Sequence, residues 1–396
     1  MTAPPGGGQT PRGPNPPGEA RPLPDSRRSS DKGSRARSAP LQRSVLQDHS
    51  RRKEMRGRLR LLGAAALMGL APLAGIAPPG AHAASGSPVH VFEILLENQP
   101  YEAVFGPGGS TAAPYLNSLT AQGVRLDRSY GIGHASLPNY IALISGYQQN
   151  PNTSNDCFVY NCVYQPGADS NLADQLEAAG LSWKGYMDSM PAPCTHGVEQ
   201  LPDPFQSPYA DRHNPFNYFE DIVGPAASSR CQAHVVPYTQ LSADMSSGSV
   251  PNFSFITPDT CHDGHDQPCF PPYTDNPGGL PEADHWLSQN LPPILAYANA
   301  HFGVVIVTFD EGEGATASQG CCSTDFTSTG AGGGHIATVV LGPFVRHGAV
   351  STVPYNHHSV LLTVEDIFRL SCLRHACDPG VTPFGTDIWA VPAAPQ

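Results

Sequence analysis

Apolar residues recur along the chain in two rhythms. Near-continuous runs bounded by Gly, Pro, Asn or Asp predict buried strands: HVFEILLEN at 90–98, FSFIT at 253–257, GVVIVTF at 303–309 and IATVVLG at 336–342. Residues 124–130 and LSWKGYMDS at 181–189 predict two more. Between them, apolar positions three and four apart predict helices over 115–122, 137–144, 171–179, 283–300 and 358–370. Strands alternating with helices imply an α/β fold, a three-layer sandwich whose mostly parallel central sheet is covered on both faces. Ligands of such sheets bind beyond the carboxyl ends of the strands. Residues 191–251 break both rhythms, with Pro, Asn, Asp and Cys scattered throughout. That stretch reads as a loop-rich insertion over the sheet edge, placed to shape a substrate pocket.

The first eighty residues have a different composition. Residues 1–53 are rich in Pro, Gly, Ser and Arg and show no apolar periodicity, so they cannot bury enough surface to offset chain entropy. Residues 55–83 then combine a basic start (Arg56, Arg58, Arg60), an apolar run from Leu61 to about Ala77, and the small-residue pattern Ala81-His82-Ala83. A short, Ala- and Gly-diluted core followed by a processing site predicts a cleaved secretory signal peptide rather than a membrane span. Signal peptides begin near the chain start, so Met55 is the expected initiator and residues 1–54 a disordered or mispredicted extension. Residues 84–396 remain as a single domain, expected to be secreted and to carry no membrane span.

Removing residues 1–83 changes the charge balance. They hold fourteen of the 22 Lys and Arg and five of the 34 Asp and Glu, leaving eight bases against 29 acids, a formal charge of −21. So acidic a chain argues against nucleic acid or an anionic membrane as a steady partner. All ten cysteines follow residue 83, and an even count in an exported chain predicts disulfides. Spacing pairs Cys157 with Cys162, Cys261 with Cys269 and Cys372 with Cys377. Cys194 with Cys231 and the adjacent Cys321 and Cys322 remain. Zinc–thiolate binding lacks a paired CxxC spacing.

Candidate chemistry gathers around GIGHASLPNYIALISG, residues 131–146. A Gly-rich turn leads to Ser136 at the start of a helix, where free N–H groups and the helix dipole favour an anion such as phosphate. Pro138 lies in the first turn, where a missing N–H costs nothing. A lone Ser in this position is usually only a cap; the company it keeps suggests more. Glu97 and Asn98 end the first strand, Asp310 and Glu311 end the strongest one, and Asp259, Asp263 and Asp266 follow FSFIT. Carboxylates brought that close need a cation. Oxygen ligands suit Mg, Ca or Mn, and an added His admits Zn or Fe. A metal beside Ser136 would activate its hydroxyl for in-line attack on phosphorus, giving a phosphoserine. His134, His262, His265, His335, His357 and His358 flank predicted elements and are candidates to protonate a leaving oxygen, with a surface position the default for each. The Ser lies in HASLP rather than GxSxG, and no P-loop or GxGxxG stands before a helix.

With these residues in place, the chain resembles the bacterial secreted phosphoesterases, acid phosphatases and phospholipases C of the alkaline-phosphatase superfamily. ILLENQPYEAVFG, HASLPNYIALISG, PNFSFITPDTCHDGHD, VTFDEGEG, GGGHIATVV and YNHHSVLLTVEDIF are similar to that family's blocks and keep their order, from His90 to Leu370. The resemblance implies an alkaline-phosphatase-like fold, with a divalent metal held by Glu97, Asn98, Asp310 and Glu311. Ser136 would be nucleophile and metal neighbour. Asp263, His265, His335 and His134 would line the phosphate pocket, Asp263 as a further metal ligand. Ala135 stands where the family has Pro, and Asp310-Glu311 where the wider superfamily has Asp-His, a departure from two-zinc ligation. The chain stops soon after YNHH, whereas the phospholipase C branch carries further domains; this favours an acid-phosphatase-like phosphomonoesterase. The alternatives are a phospholipase C or other phosphodiesterase and, from another class, a non-catalytic exported binding protein. The expected partner is a phosphate-ester small molecule or a lipid headgroup.

Overall fold

The structure, a computed structural model, describes residues 89–390 except 108, 158–161, 168–169, 197–206, 225–226, 274 and 323–331. The expected signal peptide at 55–83 and the extension before it lie outside the described residues.

Strand β1 (His90–Leu96) is buried at every position after the first, as its apolar run requires. Helices α1 (Tyr101–Phe105) and α2 (Pro114–Leu119) follow, then β2 (Gly123–Tyr130) and α3 (Ser136–Ser145). Every residue of α3 is buried, and Gly146 ends it in the left-handed conformation. Helix α4 (Leu172–Ala178) opens on a reciprocal capping box between Asn171 and Asp174. Strand β3 (Trp183–Met187) comes next. The stretch expected to be an irregular insertion is more ordered than its composition suggests. It carries α5 (Glu220–Val223), α6 (Ser229–His234), a strand β4 (Val235–Pro237) and α7 (Gln240–Ser247). The rest is β5 (Phe253–Thr257), α8 (Gly279–Ala300), β6 (Gly303–Phe309), β7 (His335–Leu341), β8 (Ala349–Ser351), β9 (Tyr355–Asn356) and α9 (His357–Phe368).

The strands form one sheet in the order β4-β3-β5-β1-β6-β7-β2-β8, with β9 also on β2. Neighbours are parallel throughout, except that β7 runs antiparallel to both β6 and β2. This single reversal matters for the site. It brings the start of β7, rather than its end, to the edge where the other strands finish.

Side chains alternate across each strand, so each face of the sheet has its own core. Val91 and Leu95 join α3, α4 and α9 on one face. Phe92, Ile94 and Leu96 join α2 and α8 on the other. The result is an α/β fold of three layers. Five disulfides link Cys157–Cys162, Cys194–Cys231, Cys261–Cys269, Cys321–Cys322 and Cys372–Cys377, the spacing-based pairs together with the two that remained. Among the described residues no helix is long and apolar enough to cross a membrane.

Candidate active site

The carboxyl edge of the sheet is assembled by backbone contacts between loops. Asp310 N donates to Leu96 O at 2.9 Å and Glu97 N to Asp263 O at 2.9 Å, tying the ends of β1 and β6 to the loop after β5. Asn98 takes a left-handed conformation (φ 56°), which Asn tolerates better than most residues. Its N–H donates to Asp310 Oδ1 at 2.9 Å. The Gly-rich turn before Ser136 packs backbone to backbone against the Gly run before β7. Gly333 N donates to Gly131 O at 3.1 Å, and a Cβ on Gly131 would come within 2.6 Å of Gly333 O and 2.7 Å of Asp310 O. That close approach requires glycine. Asn139, buried inside α3, pins the same turn: its Oδ1 accepts from Ile132 N at 2.8 Å and its Nδ2 donates to the carbonyls of Gly133 and Ala135 at 3.0 Å.

These contacts place Ser136 at the first position of α3, with its Oγ donating to Glu97 Oε2 at 2.8 Å. Glu97, Asp263 and Asp310 are all buried, and Glu311 nearly so. Burial pushes the Glu97 carboxyl well above its ordinary range, and the charges of Asp310 and Asp263 push it further. Burial likewise raises Asp310, with Glu311 adding to it, and raises Asp263 and Glu311. Four acids share one dry volume.

Two basic residues from the irregular stretch complete the site. Arg212 and His213 lie in a short 3₁₀ turn, Asp211–His213, and both are buried. The Arg212 charge favours the ionised forms of Glu97 and Asp263. The His213 ring stacks on Tyr140 (centroids 5.1 Å apart, 3° between planes), with Nε2 3.3 Å from Glu97 Oε1 and Nδ1 3.2 Å from Asp263 Oδ2. Burial and then the Arg212 charge hold this ring well below the usual histidine range.

The donor set answers whether these residues suit a cation. Asn98 Oδ1 and Asp310 Oδ2 are buried without a hydrogen-bond partner, and Glu97 Oε1 and Asp263 Oδ2 meet only the His213 ring nitrogens at 3.3 and 3.2 Å. Buried polar atoms are ordinarily paired, so oxygens left over within one set of buried acids make a donor set that fits a cation. Carboxylate, amide and hydroxyl oxygens fit a hard divalent ion, and the His213 nitrogens extend the fit to Zn or Fe.

The predicted site residues divide into two groups. Glu97, Asn98, Ser136, Asp263, Asp310 and Glu311 come together. His134 joins them through Glu311, which bonds its Nδ1, while its Nε2 lies 2.8 Å from Ala317 O. The Glu311 hydrogen bond raises His134 to about 9. His265 stands at the rim, its N–H on Asp263 Oδ1 at 2.8 Å, its Nδ1 2.8 Å from Asp266, and its ring edge toward His213. His335 is not brought onto the acids. Its Nδ1 lies 3.0 Å from Glu102 and its Nε2 2.9 Å from Asp127 O, and it stacks on Tyr101 at 4.3 Å. It latches α1 to β2 and β7. His357 and His358 are not surface residues: both are buried, which lowers them to about 4 and about 3. His357 Nε2 bonds Asp310 O. His262 forms a separate group with Asp188 and Asp259, whose ligand atoms lie within 4.8 Å of one another. Those acids are already bonded by Trp286, Ser189 and Tyr273 as well as by His262. Burial alone would lower His262, but the bonds to Asp188 and Asp259 raise it to about 10.

One more acid reaches the nucleophile. Asp156, from the loop after α3, accepts a hydrogen bond from Leu137 N on Oδ1 at 3.0 Å. The residue preceding α3, Ala135, offers no side-chain cap, so Asp156 supplies one from nineteen positions away. Burial raises Asp156, while the Leu137 N–H, Arg212 and His265 counter the rise.

A serine at a helix start, facing buried acids with orphaned oxygens at the carboxyl edge of a mostly parallel sheet, defines a hydrolase that works on phosphate esters. The chain belongs to the Phosphoesterase family, whose model matches residues 90–371. It is 28% identical over 315 residues to a phosphatidylinositol-3-phosphatase of Mycobacterium tuberculosis, covering 78% of this chain and 85% of that one. It is 27% identical over 301 residues to a probable acid phosphatase of Kluyveromyces lactis, covering 73% of this chain but 61% of the longer relative. Among solved structures it is similar to a Vibrio parahaemolyticus protein in the alkaline phosphatase superfamily, with a TM-score of 0.47, 14% identity and coverage of 74% and 71% of the two chains.

Proposed function

We propose that the protein is a secreted, metal-dependent phosphomonoesterase of the acid-phosphatase kind, working through a phosphoserine at Ser136. The observation that carries this is the Ser136 hydroxyl, 2.8 Å from Glu97 at the start of a buried helix, among acids whose free oxygens ask for a cation. Glu97, Asn98, Ser136, Asp310 and Glu311 would hold the ion, with Asp263 and His213 beside them. Bound there, a divalent cation supplies charge neutralisation for the hydroxyl oxygen and the phosphoryl group.

This chain's own residues then do the following. Ser136 Oγ attacks phosphorus, and its proton passes to Glu97, which already accepts that hydrogen. The Oγ–P bond forms as the ester O–P bond breaks, and the leaving oxygen takes a proton from His134 or His265 at the rim. Water then cleaves the phosphoserine, releasing phosphate and returning a proton to Oγ. Arg212 and the α3 N-terminal amides stabilise the phosphoryl oxygens. The names of the Mycobacterium and Kluyveromyces relatives support a monoester phosphate, free or carried on a lipid headgroup.

Ser136→Ala tests the proposal. Hydrolysis of p-nitrophenyl phosphate should disappear while the fold is retained, and mass spectrometry of acid-quenched wild type should locate phosphate on Ser136. Chelation should abolish turnover and a divalent ion restore it. Retained turnover in the variant removes Ser136 from its role, and release of choline or diacylglycerol from phosphatidylcholine with no monoester hydrolysis makes the enzyme a phosphodiesterase. N-terminal sequencing of exported protein checks secretion, with a start near residue 84 expected.

A further inference from the structure

We propose that Asp156 is a built-in competitor of the substrate, its carboxylate holding the seat that the phosphoryl oxygens must take. This rests on the reading of Ser136 and the start of α3 as the phosphoryl site.

The geometry is that of a bound anion. Asp156 Oδ1 accepts from Leu137 N at 3.0 Å, one residue past the Ser136 nucleophile. That amide belongs to the nucleophile's successor, on a ten-residue helix whose own cap position, Ala135, makes no side-chain cap. The Arg212 charge bears on Asp156, and Arg212 is the group assigned above to the phosphoryl oxygens. The acid that feels Asp156 is Glu311, a member of the carboxylate cluster. A backbone amide at the start of α3 meets the Asp156 oxyanion, as it would a phosphate oxygen, and the Arg212 charge favours that oxyanion.

A permanent structural cap has no need of such company. Caps are local, normally the residue just before the helix, and need no arginine. Asp156 instead comes from a separate loop, is itself in a left-handed conformation (φ 55°), and is followed immediately by Cys157 of the Cys157–Cys162 disulfide. Its carboxylate and a substrate phosphate cannot both occupy that amide, so the fraction of enzyme in which Asp156 is seated reduces the apparent affinity by that fraction. A substrate pays for entry by displacing an anion already there.

Calorimetry of inorganic phosphate binding to the metal-containing protein, wild type against Asp156→Asn and Asp156→Gly, tests this. Both replacements tolerate the positive φ. Loss of the competing charge should tighten phosphate binding about tenfold, the figure for a seat occupied nine-tenths of the time, and KM for p-nitrophenyl phosphate should fall in parallel. Phosphate binding that is unchanged or weaker in whichever variant folds makes Asp156 a fixed cap and overturns the proposal. Wild-type turnover is read separately. Active wild type with no gain in the variants keeps the phosphomonoesterase and loses the competitor, whereas tighter phosphate binding without turnover does the reverse.

Discussion

Glu93 lies in the middle of β1, paired in register with Phe255 of β5 and Ile306 of β6. It is fully buried, and neither carboxyl oxygen has a hydrogen-bond partner. By strand alternation it shares a face with Val91 and Leu95, so its surroundings are apolar side chains. Burial alone raises it from 4.5 to about 8. The group therefore keeps its proton in the folded state long after the unfolded chain has lost it. Stability from this residue is fully present below about pH 4.5 and is lost as pH rises through about 8. At roughly 1.4 kcal/mol for each decade of proton affinity, the loss approaches about 5 kcal/mol. That is a large share of the roughly 5–15 kcal/mol that holds a typical domain together. Glu93→Gln keeps the shape and removes the titration. Since both the protonated acid and the amide bury polar atoms without partners, the two proteins should agree within about 2 kcal/mol at pH 4.5. By pH 8.5 the variant should be more stable than wild type by about 4 kcal/mol relative to that starting difference. Urea unfolding at each pH reads the difference from the midpoints, provided the two slopes match. No charged neighbour contributes to the Glu93 shift, so every other titrating group cancels in the comparison. Wild-type and variant curves that stay parallel from pH 4.5 to 8.5 would refute the reasoning and require a hidden partner for the carboxyl.

Two further substitutions separate scaffold from chemistry. His335→Ala should lower stability by about 2 kcal/mol, through loss of its stacking on Tyr101 and its bonds to Glu102 and Asp127; kcat/KM per folded molecule should stay within about threefold, and a loss in kcat above about a hundredfold would return it to the catalytic set. Arg212→Gln should cost about a hundredfold in kcat/KM, the usual loss for one preorganised donor on a developing oxyanion, with thermal unfolding showing that the fold persists; near-normal kcat/KM would leave Arg212 a purely structural partner of the acids.

The legible part of this site is the part built on regular elements. Glu97, Asn98, Asp310 and Glu311 are polar residues that terminate apolar runs, and a parallel sheet delivers all such ends to one side. Ser136 is legible because a glycine turn followed by an apolar helix announces a helix start. Strand β4 is not legible because three residues, Val235–Pro237, make no pattern; β8 is as short and β9, with two residues, shorter still. Arg212 and His213 are illegible for a related reason: a 3₁₀ turn in an irregular stretch has no periodicity that says where its side chains point. Tyr140 and Asn139 look like ordinary interior positions of α3, and only the stacking of Tyr140 on His213 and the bonds of Asn139 to the glycine turn show otherwise.

His335 shows how a position along the chain leaves the side-chain direction open. GGGH before an apolar strand suggests a pocket residue, and the reversal of β7 does bring His335 to the carboxyl edge of the sheet. Which way its ring turns there depends on alternation and register, and register with β2 pairs it with Tyr130 and sends the ring to Glu102 and Asp127. Position along the chain cannot decide this, because one residue of slip would exchange the two faces. The acids differ in this respect. Glu97 and Asp310 lie just beyond β1 and β6, two strands paired side by side, and the bond from Asp310 N to Leu96 O carries that pairing past the strand ends. Their convergence is therefore a property of the sheet, whereas the place of each histidine is a property of one loop.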